Sequence, residues 1–144
     1  MSVGGCSTLV NDFNLVDGFV QAELALATRP LTFFGHYLHN QEASDLDTAW
    51  AAGFTYGKAS IPLSWEFGYL YQSVDKDSQF GQFVDSDFSG GITDSEGSVF
   101  RIGYAPAKNW LVNGSYFMND RFVEAPGNTE RNYDRYQVDL NFKF

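Results

Sequence analysis

Apolar residues recur at every second position in seven stretches of this chain, most plainly in the last. There Tyr136, Val138, Leu140, Phe142 and Phe144 alternate with Gln137, Asp139, Asn141 and Lys143. A period of two is that of a β-strand with one apolar and one polar face. Upstream, Val20, Ala22, Leu24 and Leu26 alternate with Gln21, Glu23 and Ala25. Leu31, Phe33, Gly35 and Tyr37 alternate with Thr32, Phe34 and His36. Trp50, Ala52, Phe54 and Tyr56 oppose the small residues Ala49, Ala51, Gly53 and Thr55. Leu63, Trp65, Phe67, Tyr69 and Tyr71 oppose Ser64, Glu66, Gly68 and Gln72. Phe100, Ile102 and Tyr104 flank Arg101 and Gly103, and Trp110, Val112, Gly114, Tyr116 and Met118 oppose Asn113 and Ser115. Seven strands are therefore expected, with a weaker eighth near residues 2–10.

The connections carry a second pattern. Turns at Arg29-Pro30, Gly57-Lys58-Ala59-Ser60 and Pro106-Ala107-Lys108 are short, and the stretches at 40–47, 73–97 and 119–132 are polar and longer. Transmembrane β-barrels alternate in this way, with tight periplasmic turns and longer extracellular loops. The fold class expected is all-β, an antiparallel transmembrane β-barrel of about seven or eight strands. Residues 1–17 read as a weakly ordered N-terminal segment or partial strand, and 18–144 as the barrel. The competing soluble reading is an up-and-down barrel with its apolar faces turned inward around a ligand. It would leave Glu23, Glu66, Arg101, Asp139 and Lys143 outside, while seven aromatic-rich faces crowded one small interior.

Composition narrows the choice. Aromatics make up 17% of the 144 residues, more than a small core needs. Mean hydropathy is nevertheless slightly negative. No run approaches the roughly 18 consecutive apolar residues of a membrane-crossing helix. Alternating strands fit these facts and apolar helices do not. A formal charge of −9 argues against nucleic acid as a partner and suits a wet interior or loops that prefer cations. The single cysteine, Cys6, allows no internal disulfide. Val3-Gly4-Gly5-Cys6 faintly resembles a lipoprotein cleavage site but lacks a preceding apolar region, so neither lipidation nor a secretory signal is expected.

No catalytic constellation emerges, and an enzyme is not expected. His36 falls on the polar face and His39 at a loop edge, and no G-x-S-x-G nucleophile pattern is present. The richest segment is the long loop, with Asp75-Lys76-Asp77 followed by Asp85-Ser86-Asp87-Phe88-Ser89-Gly90-Gly91-Ile92-Thr93-Asp94-Ser95-Glu96. Alternate acids near glycines suggest calcium ligation, but the glycine and closing-glutamate positions of an EF-hand loop do not match. No metal or cofactor is expected. The loop is either a solvated extracellular segment or one that folds into the barrel, narrows it and favours cations. Its candidate constriction residues are Asp85, Asp87, Phe88 and Asp94. The polar face supplies candidate pore-lining residues: Glu23, His36, Glu66, Arg101, Arg135, Asp139 and Lys143. Such charges either set a field across a pore or pair and plug a narrow barrel, depending on strand number.

Three segments resemble the bacterial "putative porin" family. They are Asp85-Ser86-Asp87-Phe88-Ser89-Gly90-Gly91-Ile92-Thr93-Asp94, Tyr104-Ala105-Pro106-Ala107-Lys108-Asn109-Trp110, and the ending from Asp134 to Phe144. Leu31–Tyr37 and Gly53–Lys58 fit the same pattern. The resemblance, from about residue 18 onward, implies an outer-membrane barrel for passive diffusion of small polar solutes or ions. The alternative carried with it is a small closed barrel whose loops serve a structural or adhesive role. Family members are longer and begin with a signal peptide, so this sequence is expected to be the C-terminal part of a larger pore. The implied partners are outer-membrane lipid, the solutes, a second copy in a homo-oligomer, and the barrel-assembly machinery. That machinery would read the insertion end formed by Tyr136, Val138, Leu140, Phe142 and Phe144. The family brings no established catalytic or substrate-binding residues.

Overall fold

Each predicted alternation pairs with its neighbour in the chain. The computed structural model describes residues 13–79, 84–124 and 131–143. It contains β1 (Leu15–Leu26), β2 (Arg29–Asn40), β3 (Thr48–Gly57), β4 (Trp65–Val74), β5 (Ser95–Tyr104), β6 (Trp110–Arg121) and β7 (Arg131–Phe142). They form one antiparallel sheet in the order β1-β2-β3-β4-β5-β6-β7. Among the described residues the sheet is not closed, since β1 and β7 each have one strand neighbour. β1 starts at Leu15, so residues 15–17 belong to the sheet. The eighth strand expected near residues 2–10 lies outside the described residues.

Register makes the two faces continuous. Directly opposed residues of antiparallel strands project from the same side. One row across the sheet reads Ala22, Phe33, Phe54, Tyr69, Phe100, Tyr116 and Tyr136. The six rings of that row contact one another in turn, from Phe33–Phe54 at 6.3 Å to the stacked Tyr116–Tyr136 pair at 4.3 Å. Each such pair adds about 0.5–1.5 kcal/mol beyond area burial. The next row on that face, Leu24, Leu31, Tyr56, Phe67, Ile102, Gly114 and Val138, is equally apolar. The opposite face carries Glu23, Thr32, Thr55, Gly68, Arg101, Ser115 and Gln137 in one row.

The two ends of the sheet differ. At the loop end Asn40 is fully buried. Its side-chain oxygen accepts the N–H groups of Asn14 and Glu42, and its amide donates to the Asp77 carbonyl. One carboxamide thus ties the entry to β1 to two loops. Beside it Asp75 accepts both the N–H and the hydroxyl of Thr48, at 3.1 and 2.6 Å.

At the turn end two expectations are corrected. The first hairpin turns at Ala27-Thr28, and Arg29-Pro30 already belong to β2. Both turn residues have positive φ, 49° and 70°. Two-residue hairpins need that handedness to match strand twist, and it normally selects Asn-Gly. The second turn runs from 58 to 64 because β4 begins only at Trp65. Leu63 sits at φ 65° and Ser64 Oγ accepts the N–H groups of Ser60 and Ile61, so Leu63 is not part of the strand stripe.

The first turn yields a prediction. A side chain in the left-handed region costs about 1–2 kcal/mol per residue. Replacing Ala27-Thr28 with Asn-Gly should therefore raise stability by about 1–3 kcal/mol in urea unfolding from detergent micelles. An unchanged midpoint would show that the turn is not held in this conformation.

Candidate functional site

The polar face holds nearly all the residues that the alternation assigns to it. Glu23, His36, Glu66, Arg101, Arg135 and Asp139 share it by register, across β1, β2, β4, β5 and β7. Lys143 follows β7, and its N–H donates to the Asn109 carbonyl at the turn end. His36 Nε2 lies 3.3 Å from the Asp17 carboxylate on the adjacent strand. Tyr136, Val138, Leu140 and Phe142 are exposed on the apolar face, and Phe144 lies outside the described residues.

The face is not uniformly polar. Near its loop end it also carries Leu38, Ala49, Val74, Val99 and Phe117, all buried. They form a small hydrophobic core with Val84 and Phe88 of the β4–β5 loop, and Leu15 and Leu70 pack against it. Phe88 is 1% exposed. The loop therefore lies over the polar face of the sheet and is not a free solvated segment.

Two carboxylates of the loop meet arginines of the sheet. Asp87 lies 2.8 Å from Arg135 on β7, and Asp85 lies 4.0 Å from Arg101 on β5. Arg101 is six residues below the start of β5, roughly 20 Å along the strand. The loop and the arginine side chain bridge that depth between them. Magnitudes identify what seats the loop. Burying a phenylalanine contributes about 1.5–3 kcal/mol, whereas partly exposed ion pairs contribute about 0–1 kcal/mol each. Phe88 holds the loop down, and Asp87 fixes where it lies.

Under the loop a cavity of about 220 Å³ remains, lined by His36, Ala49, Ala51, Gln72, Gln79 and Asp85 among others. The small side chains of β3 make that space. At Gly53 a Cβ would come within 2.3 Å of the Tyr69 carbonyl, so any larger residue would push the β3–β4 pairing apart.

Asp94 does not reach the polar face. It is buried at the rim, where its carboxylate accepts the Glu124 N–H at 2.8 Å and its carbonyl accepts the Phe122 N–H. Partial burial, together with Asp75, Asp94 and Glu96, pushes the Glu124 carboxyl up to about 7. Asp75 and Asp77 are likewise occupied in joining loops.

An antiparallel sheet with a continuous aromatic and aliphatic outer face, a charged inner face and a loop folded over the inner face is the wall of a porin-like β-structure. The chain belongs to the family described as Putative porin, whose model matches residues 8–144. No curated protein and no solved structure matches it.

Two outcomes follow from the seating of the loop. Phe88→Ala removes a fully enclosed ring, a loss of about 3–5 kcal/mol, and should raise protease cleavage within the loop roughly 100-fold or more. Asp87→Asn should raise it less than about fivefold. The reverse ranking would make the ion pair the anchor.

The rim acids give a pH dependence. The folded protein holds the Glu124 proton more tightly than the unfolded chain, so stability should fall as pH rises from about 4.5 to about 7 and level off above. Glu124→Gln should remove that fall, leaving stability at pH 4 unchanged and raising the thermal midpoint at pH 8. Equal pH profiles for the two proteins would show that Glu124 does not carry the effect.

Proposed function

We propose that this chain forms the wall of an outer-membrane porin, with the aromatic face against lipid and the charged face lining a water-filled path for small polar solutes or ions. The observation that carries this reading is the division of the sheet into two faces. The outward run on β6 from Trp110 to Met118 spans roughly 27 Å along the strand. A tilt of 35–45° reduces that to about 19–22 Å, close to the apolar band of about 25 Å on barrels of this kind. Glu96, Asp120 and Asn132 sit above the band on the same face. This is where a strand leaves hydrocarbon for the headgroup region.

The long loop sets the width of the path at its upper end. Asp85 and Asp87 of the loop are engaged with Arg101 and Arg135, so preference among ions depends on Glu23, Glu66 and Asp139 as well as on the loop. The chain acts by passive diffusion and not by catalysis. Strands enter the membrane through the assembly machinery, and the aromatic end of β7 supplies the stretch it reads. Association of complete barrels into a homo-oligomer belongs to the same reading. The hydrophobic seat under Phe88 favours a second one, in which the inner face is plugged and the loops form a structural or adhesive surface.

Purified from native outer membranes and inserted into planar bilayers, the protein should give discrete conductance steps that favour cations. Phe88→Ala should enlarge each step by roughly twofold or more through release of the loop. Stable insertion with no conductance, in the wild type and in Phe88→Ala alike, would overturn the channel and leave the surface role.

A further inference from the structure

We infer that the inner face at the loop end holds a phosphate site, made by Arg121 and Asn119 of β6, Arg131 of β7 and Ser89 of the β4–β5 loop, and that its occupant clips the loop to the last two strands. Arg121 and Arg131 are directly opposed in the β6–β7 register, so both project from the inner face. Like charges so placed destabilise a sheet unless something offsets them. Among the described residues no carboxylate pairs with either guanidinium. Asp85 and Asp87 are taken by Arg101 and Arg135, and the Asp94 carboxylate accepts the Glu124 N–H. The Arg121 guanidinium lies 3.9 Å from the centre of the Tyr133 ring and against Gly90, where an added Cβ would strike it. A ring holds a guanidinium by its face and leaves the N–H groups, which lie in the plane, for an acceptor. Arg121 Nε is buried without one.

Two further buried side chains at this corner lack partners. Asn119, 2% exposed, stands one row below Arg121 on the same face, and neither its amide nitrogen nor its oxygen is satisfied. Gly97 beside it on β5 makes the room, since a Cβ there would meet the Asn119 amide. Ser89 is fully buried next to Gly90, and its hydroxyl is also unsatisfied. A buried donor or acceptor left unpaired costs about 1–3 kcal/mol, and these stand beside two uncompensated cations. Charge selects what meets them. Two guanidinium groups, an amide N–H and a hydroxyl suit a tetrahedral dianion, whose oxygens accept from all of them. Water would satisfy the hydrogen bonds but leave the opposed charges as they are. Because Ser89 and Gly90 close one side of the site, a bound anion favours the seated loop. The site does not depend on which medium the outer face meets.

Protease cleavage within the β4–β5 loop reports the clip. The full chain is held in uncharged detergent micelles at fixed ionic strength while sodium phosphate replaces sodium chloride. Cleavage should slow saturably, by about tenfold when phosphate stands at about ten times its dissociation constant. Arg121→Gln should abolish that protection and Asn119→Ala should weaken it. Lys108→Gln makes the same loss of charge in the turn before β6 and should leave the protection intact. Glycerol phosphate, added in the same way, separates the sources of the ligand. Protection by both compounds assigns the site to phosphorylated solutes, and protection by inorganic phosphate alone assigns it to the free ion. Cleavage that ignores phosphate in the unmodified chain would overturn the site, as would protection that survives equally in Arg121→Gln and Lys108→Gln.

Discussion

A β-strand satisfies its backbone N–H and C=O groups only where another strand lies beside it. Everything else in this molecule depends on that ladder. Because each strand pairs with the next in sequence, every outward position meets another outward position across six seams. A slip of one residue at any seam would turn a full stripe over, placing Glu23 or Arg101 among the aromatic rings. The ring row from Phe33 to Tyr136 is both a product of that register and a cost against losing it.

The two faces differ in chemistry along the whole sheet. On the outer face, tyrosines and phenylalanines touch side by side but remain accessible, which suits an apolar medium and not water. On the inner face the lower rows are charged and the upper rows are covered. The cover is a loop whose own hydrophobic residues complete a core that the strands only half build. Val84 and Phe88 seat it in that core, while the strands are held by the ladder itself.

The strands, their order and their facing were legible in the sequence because a period of two survives in every one of them. The sites expected on the polar face follow from the same parity, and Glu23, Arg101, Arg135 and Asp139 lie where alternation puts them. The seat of the loop was also written there, as a fault in the pattern. Leu38, Leu70, Val74, Val99 and Phe117 are apolar residues at inward positions, all toward the loop end, where a wet lumen would want polar ones. Read together, they call for a hydrophobic cover, and Phe88, one of three phenylalanines in the loop, lies buried in that core. Other features left no local signal. Ala27-Thr28 contains neither Asn nor Gly, so turn composition pointed to the proline two residues on. The role of Asn40 in joining three segments arises only when those segments meet. The use of Asp75 and Asp94 as rim clasps, with Asp94 away from the expected constriction, depends on the same meeting.

The central claim is that one face of this sheet meets lipid and the other meets water. It is tested most directly by single cysteines placed along β6 and β7 in a Cys6→Ser background, inserted in membranes and treated with a charged, membrane-impermeant thiol reagent. Labelling should alternate, with Asn113, Ser115, Gln137 and Asp139 positions reacting and Val112, Gly114, Val138 and Leu140 positions protected. Labelling of both sets alike, or of the second set alone, would contradict the account.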